Sequence, residues 1–138
     1  TREILCFGDS NTYGLIPGTK ERYKKNIRWT GILQQKLKEQ DCRIVEEGPA
    51  EEHIKILLVS PILLGEKVWE PEYDPEFDEQ SVETSRQLKT VYSRIAKKHG
   101  IDFLAASDVA EPSSRDREHM DEESHRRFAE AVYERLAG

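Results

Sequence analysis

With 138 residues, the chain has the length of one domain with a sizeable core. Its 36% hydrophobic and 35% charged residues describe a heavily solvated fold, and its net charge of −6 argues against a nucleic-acid partner, which would need a basic face. No apolar run nears the ~18 residues of a membrane span, and no signal-peptide pattern is visible. The cluster Arg22-Tyr23-Lys24-Lys25 is too isolated to reverse the charge argument. Two cysteines, Cys6 and Cys42, sit in apolar runs without CxxC or Cys/His spacing. They read as free buried thiols rather than a disulfide or a zinc site. A cytoplasmic protein with no metal and no membrane partner is the expectation.

The first element is the run EILCF at 3–7, short, apolar and closed by Gly8, which predicts a buried strand. Residues 28–40 carry Trp29, Ile32, Leu33 and Leu37 at helical spacing. CRIV at 42–45 is a second strand. IKILLV at 54–59 is a third, apolar almost throughout and so expected to be buried on both faces. A polar, Pro-rich loop at 65–79 follows, with Trp69, Tyr73 and Phe77; its length marks it as a functional loop. Residues 81–99 form a helix that places Val82, Leu88, Val91, Tyr92 and Ile95 on one face, with Gly100 as its stop. Residues 101–105 are the fourth strand. Residues 121–136 form the last helix, capped by Asp121, with Glu122 and Glu123 in the first turn and Phe128, Val132 and Leu136 facing inward.

Strands alternating with helices predict a largely parallel α/β sheet covered on both faces. One joint does not fit. Only residues 46–53 separate the second and third strands, whereas a parallel crossover takes a dozen or more. Either these strands are not parallel neighbours, or chain is missing between them.

Two polar stretches carry candidate chemistry. In FGDSNTYG, at 7–14, Ser10 stands just beyond a buried strand, where α/β sheets hold ligands. If a helix starts near Asn11, backbone N–H groups there point at an anion, such as the oxygen of a tetrahedral intermediate. The plainer reading is that Asp9 or Ser10 caps the next segment. A serine nucleophile needs a base, and the base needs an orienting acid. Of the four histidines, His99 ends a helix, His125 reads as surface and His53 falls in the unreadable joint. His119 lies in Asp116-Arg117-Glu118-His119, where an Asp three residues ahead bonds Nδ1 and leaves Nε2 as base. The plainer reading is a solvated charge cluster, with Glu118 and Asp121 as competing partners.

Together, ILCFGDSNTYG and DREHMDEESHRRFAEAV resemble the first and last blocks of the SGNH hydrolases, also called GDSL lipases and esterases. RWTGILQQKL, VEEG and ILLVSPILL are similar to the arylesterase and acyl-hydrolase branch. The resemblance implies a single domain with a three-layer α/β/α, flavodoxin-like fold and metal-free ester hydrolysis without a cofactor. It implies Ser10 as nucleophile and oxyanion donor, His119 as general base, Asp116 as its orienting acid and the Gly48 N–H as second oxyanion donor. Asp9, Asn11 and Trp69 are candidate substrate contacts, and small or medium acyl esters the implied substrates. Trp69, Tyr73 and Phe77 read equally as packing or as a homo-oligomer contact.

The chain departs from the family pattern in three places. Pro49-Ala50-Glu51-Glu52 replaces a longer polar turn after Gly48. Arg117 stands where a glycine or small residue is common. The third block, Gly-x-Asn-Asp with its asparagine oxyanion donor, is absent, and the only asparagines are Asn11 and Asn26. The absent block would fall at 48–54, the joint that also fails on crossover length. A catalytically weakened or inactive binding module is therefore the alternative expectation.

Overall fold

The computed structural model describes residues 2–6, 8–38, 42–45 and 55–137. In chain order the elements are β1 (Arg2–Leu5), α1 (Ser10–Tyr13), α2 (Trp29–Lys36), β2 (Cys42–Val45), β3 (Leu57–Ser60), α3 (Glu79–His99), β4 (Asp102–Ala105) and α4 (Glu122–Ala137). They fall into two compact units. The terminal unit combines Thr1–Ile54 with Met120–Gly138, and the central unit is Lys55–His119.

In the terminal unit, β1 pairs in parallel with β2, from Arg2 opposite Cys42 to Leu5 opposite Val45. Its core lies between α2 and α4. Trp29 packs edge-on against Phe128, with ring centroids 4.9 Å apart, and Leu33, Leu37, Ala129 and Val132 are buried around them. Trp29 is thus a core residue, as its place in the helical stripe suggests. The helix predicted over 28–40 ends earlier, at Lys36, where Leu37 takes the cap position. At the other end of this packing, Lys36 pairs with Glu130 at 2.6 Å. Cys6 is buried.

In the central unit, β3 pairs in parallel with β4, from Leu57 opposite Asp102 to Ser60 opposite Ala105. The crossover between them is α3, which packs on both strands. Asp78 starts α3 with a capping box: its carboxylate accepts from the Ser81 N–H at 2.8 Å, and the Ser81 hydroxyl reaches back to the Asp78 N–H at 3.1 Å. Gly100 ends it in the left-handed region at φ 64°, as expected. The buried side of α3 is Val82, Ser85 and Ala96. Val91 and Ile95, expected inside, are each 44% exposed. The buried stripe follows small residues, which let the helix approach the strands closely, rather than the bulkiest apolar ones.

These residues make a small α/β protein of parallel strand pairs and helices, with helical crossovers as the alternation of patterns predicts. The third strand sits later than expected, at Leu57–Ser60 rather than 54–59. The short joint at 46–53 lies outside the described residues. Among those residues no helix is long and apolar enough to cross a membrane.

Candidate active site

Within FGDSNTYG, residues Ser10–Tyr13 form the single helical turn α1, which follows β1 in the chain. Asp9 is the N-cap of α1: its carboxylate accepts from the Asn11 N–H at 2.9 Å, and its carbonyl from the Thr12 and Tyr13 N–H groups. Gly14 closes the turn at φ 87°, donating to the Ser10 carbonyl at 2.9 Å. Gly8 is required by space rather than by dihedral angle, since a Cβ there would meet the Thr12 hydroxyl at 2.3 Å. Ser10 is the first residue of α1 and is half-buried. The capping reading of this stretch is therefore correct for Asp9, and it leaves Ser10 as the residue that the cap holds in place.

Three more contacts hold α1 and its flanks. The chain after it folds back, so that Tyr23 donates to the Gly14 carbonyl at 2.7 Å and the Arg22 guanidinium lies over the Tyr13 ring at 4.5 Å. Asn11 Oδ1 accepts from the Met120 N–H at 2.8 Å. The side chains of Asp9 and Asn11, read from the sequence as substrate contacts, are thus both engaged in holding the backbone.

In the central unit, residues 113–119 close on themselves. Ser113 donates its N–H to the His119 carbonyl at 2.8 Å, and Arg117 donates to the Ser113 carbonyl at 2.7 Å. Inside this loop Asp116 works in two directions. Its Oδ1 accepts from the N–H groups of Glu118 and His119, at 3.0 and 2.9 Å. Its Oδ2 lies 2.6 Å from Nδ1 of His119. Asp116 is thus a partner of the imidazole, its one carboxylate reaching both the local backbone and the ring. Burial alone would push the Asp116 carboxyl up. The ring and backbone hydrogen bonds and the neighbouring imidazole outweigh it and hold the carboxyl below its ordinary value. A carboxylate only accepts, so Nδ1 of His119 carries the proton and Nε2 is the basic nitrogen.

Glu118 differs from Asp116 in the same turn. Burial, opposed by His119 and reinforced by a hydrogen bond and repulsion from Asp74 and by repulsion from Asp116, raises its carboxyl to about 7. Arg117, between the two carboxyls, adopts φ 60°, the left-handed region. This explains physically why a glycine suits that position.

Trp69 lies elsewhere in the central unit. It lines an open cleft of about 400 Å³ with Glu66, Glu79, Gln80, Val82, Glu83 and Arg86, where Arg86 pairs with Glu66 and Glu83. Neither Asp116 nor His119 lines that cleft. Tyr73, its companion in the loop, packs beneath the Arg117 guanidinium. Gly48 lies outside the described residues.

One role was illegible in the sequence. His125, expected at the surface, is fully buried. Its Nδ1 accepts from the Trp29 N–H at 3.0 Å, so it caps α2, whose N-cap residue Arg28 makes no side-chain capping bond. Nothing in the spacing of the sequence points to this pairing between distant helices.

No protein-family model matches the chain, and no curated protein matches it by sequence. The likeness to known proteins is structural. One solved crystal structure superposes with a TM-score of 0.89 at 26% identity, over 99% of this chain and 97% of the other. Est24, a carbohydrate acetylesterase from Sinorhizobium meliloti, matches with a TM-score of 0.82 at 21% identity, over 99% of each chain. The aryl esterase of M. smegmatis matches with a TM-score of 0.82 at 22% identity, again over 99% of each. The chain therefore has the fold of carbohydrate acetylesterases and aryl esterases, in agreement with the family resemblance of its end blocks.

Proposed function

We propose that this chain, sharing the fold of carbohydrate acetylesterases and aryl esterases, is an SGNH/GDSL serine ester hydrolase with that family's three-layer, flavodoxin-like sheet. The observation that carries the reading is the Asp116–His119 pair, with Oδ2 and Nδ1 2.6 Å apart on a carboxylate already anchored by two backbone N–H groups. Orienting an imidazole in this way fixes the tautomer that a general base needs.

In the proposed mechanism Ser10 Oγ attacks the ester carbonyl carbon while Nε2 of His119 takes its proton. The tetrahedral oxyanion is bound by the N–H groups of Ser10 and Gly48. The intermediate collapses as His119 returns the proton to the departing alcohol, which leaves an acyl-Ser10. His119 then activates water, and the acid is released. Asp116 stays ionised throughout and stabilises the imidazolium.

Acetyl esters of sugars or of aryl alcohols are the substrates that the structural neighbours suggest, within the small and medium acyl range. Labelling with a fluorophosphonate tests the reading, together with a panel of nitrophenyl esters of rising acyl length. Wild type should label and hydrolyse the short esters, and Ser10→Ala should do neither. A second reading is favoured by the sequence, which has no Gly-x-Asn-Asp block to supply a third oxyanion donor. The chain would then be a binding module on an esterase fold, and wild type would not label.

A further inference from the structure

We infer that Arg117 is a positioning residue, a clasp that holds the Asp116–His119 turn against the loop carrying Tyr73. All the contacts lie within the central unit. At φ 60° a non-glycine residue is strained relative to its right-handed form, and such strain persists only where surroundings over-determine it. Here they do. The Arg117 carbonyl accepts from the Gly65 N–H at 2.8 Å, and its own N–H donates to Ser113 at 2.7 Å. Its guanidinium donates from Nη1 to the Glu66 carbonyl at 2.6 Å and lies over the Tyr73 ring, 4.4 Å from the centroid. Gly65 admits this approach because it has no side chain; a Cβ would meet the Arg117 Cβ at 2.7 Å.

The left-handed turn at Arg117 lies between Asp116 and the two residues, Glu118 and His119, whose N–H groups Asp116 Oδ1 collects. The same residue therefore sets the backbone geometry that orients the imidazole and ties that geometry to the loop. A glycine would form the turn with less strain but would leave it unattached. The arginine trades backbone comfort for a planar group that stacks and donates at once, which lysine reproduces only in part. Through Glu66, which also lines the Trp69 cleft, the clasp links that cleft to the base.

The kinetic part of this inference rests on the ester-hydrolase reading, so the test includes a readout independent of activity. Arg117→Gly and Arg117→Lys are compared with wild type by amide exchange, by proton NMR of the His119 ring and by nitrophenyl acetate kinetics. In Arg117→Gly the Glu118 and His119 amides should exchange on the order of tenfold faster, and the downfield His119 Nδ1–H signal should broaden. Thermal stability should hold, because glycine relieves the strain. The kcat should fall on the order of tenfold with KM little changed, as expected when a base is mispositioned rather than substrate binding lost. Arg117→Lys should recover part of each effect. Tyr73→Leu should weaken the same signals, and the Tyr73→Leu/Arg117→Gly pair should be non-additive. Exchange and ring signals identical to wild type in Arg117→Gly would overturn the clasp whether or not the protein hydrolyses esters. An unchanged kcat in an active enzyme would do the same. Altered exchange in a protein that wild-type labelling shows to be inert would support the clasp and sink only the esterase.

Discussion

His119 and His125 lie close together in the chain, and both are anchored through Nδ1, but in opposite senses. Nδ1 of His119 donates to the Asp116 carboxylate. Nδ1 of His125 accepts from the Trp29 backbone N–H. The two rings are therefore opposite tautomers, with a basic Nε2 in His119 and an N–H there in His125. That Nε2 of His125 is buried without a hydrogen-bond partner. The buried His125 ring is penalised for gaining a second proton. Burial, only partly offset by Asp121 and reinforced by Arg28, pushes His125 down to about 4. The partner of one nitrogen thus decides what the other can do.

The sharpest way to break this comparison is to remove each ring in turn. His119→Ala should lower kcat/KM for nitrophenyl acetate by about 10³-fold or more, with little change in unfolding midpoint. Equal activity in wild type and variant would end its assignment as base. Asp116→Asn should follow with a loss of about 10²–10⁴-fold, because an amide can hold the wrong tautomer. Its readout is kcat, with circular dichroism to establish that the turn's neighbours remain folded.

His125→Leu should show the converse pattern. It strands the Trp29 N–H at the start of α2 and should destabilise the protein by about 1–3 kcal/mol in urea unfolding. Activity per folded molecule should stay at the wild-type level. A variant as stable as wild type would mean that the cap contributes nothing.

The pH dependence sharpens the contrast further. The folded-state value of His125 is depressed, from an ordinary 6.5 to about 4. Its contribution is therefore fully present above 6.5 and is lost as pH falls toward 4, by on the order of 3 kcal/mol. Glu118 runs the other way. Its folded value is raised from 4.5 to about 7, so its contribution is present below 4.5 and is lost as pH rises through 7. Glu118→Gln should therefore give a small gain in stability at pH 8, reduced by the partial exposure of the group. His125→Leu should flatten the acid side of the stability profile, and Glu118→Gln the neutral side. Superimposable profiles for wild type and both variants would contradict the two assignments together.

Local patterns were the legible part of this chain. Asp9, Gly100 and Asp121 read correctly as punctuation because caps depend on one residue and the few backbone groups beside it. The Ser124 N–H, for instance, donates to Asp121 at 2.9 Å. The Asp116–His119 bond was legible for the same reason, being closed within one turn. The apolar face of α3 was misjudged at Val91 and Ile95 because periodicity identifies a stripe but not which edge of it meets the strands. The burial of His125 was missed because a polar residue one turn into a charged helix carries no mark of a distant partner.

The order of residues by itself determined the alternation of strands and helices, the turn that presents Ser10 and the pairing of Asp116 with His119. Each of these is settled by neighbours within a few positions, so the code for it lies in adjacent letters. Tertiary structure alone decided that His125 caps a helix from another part of the chain, that Asn11 holds Met120, and that Arg117 reaches Tyr73 and Glu66. Those contacts follow from which surfaces pack together, and packing selects partners by shape and burial rather than by spacing along the chain.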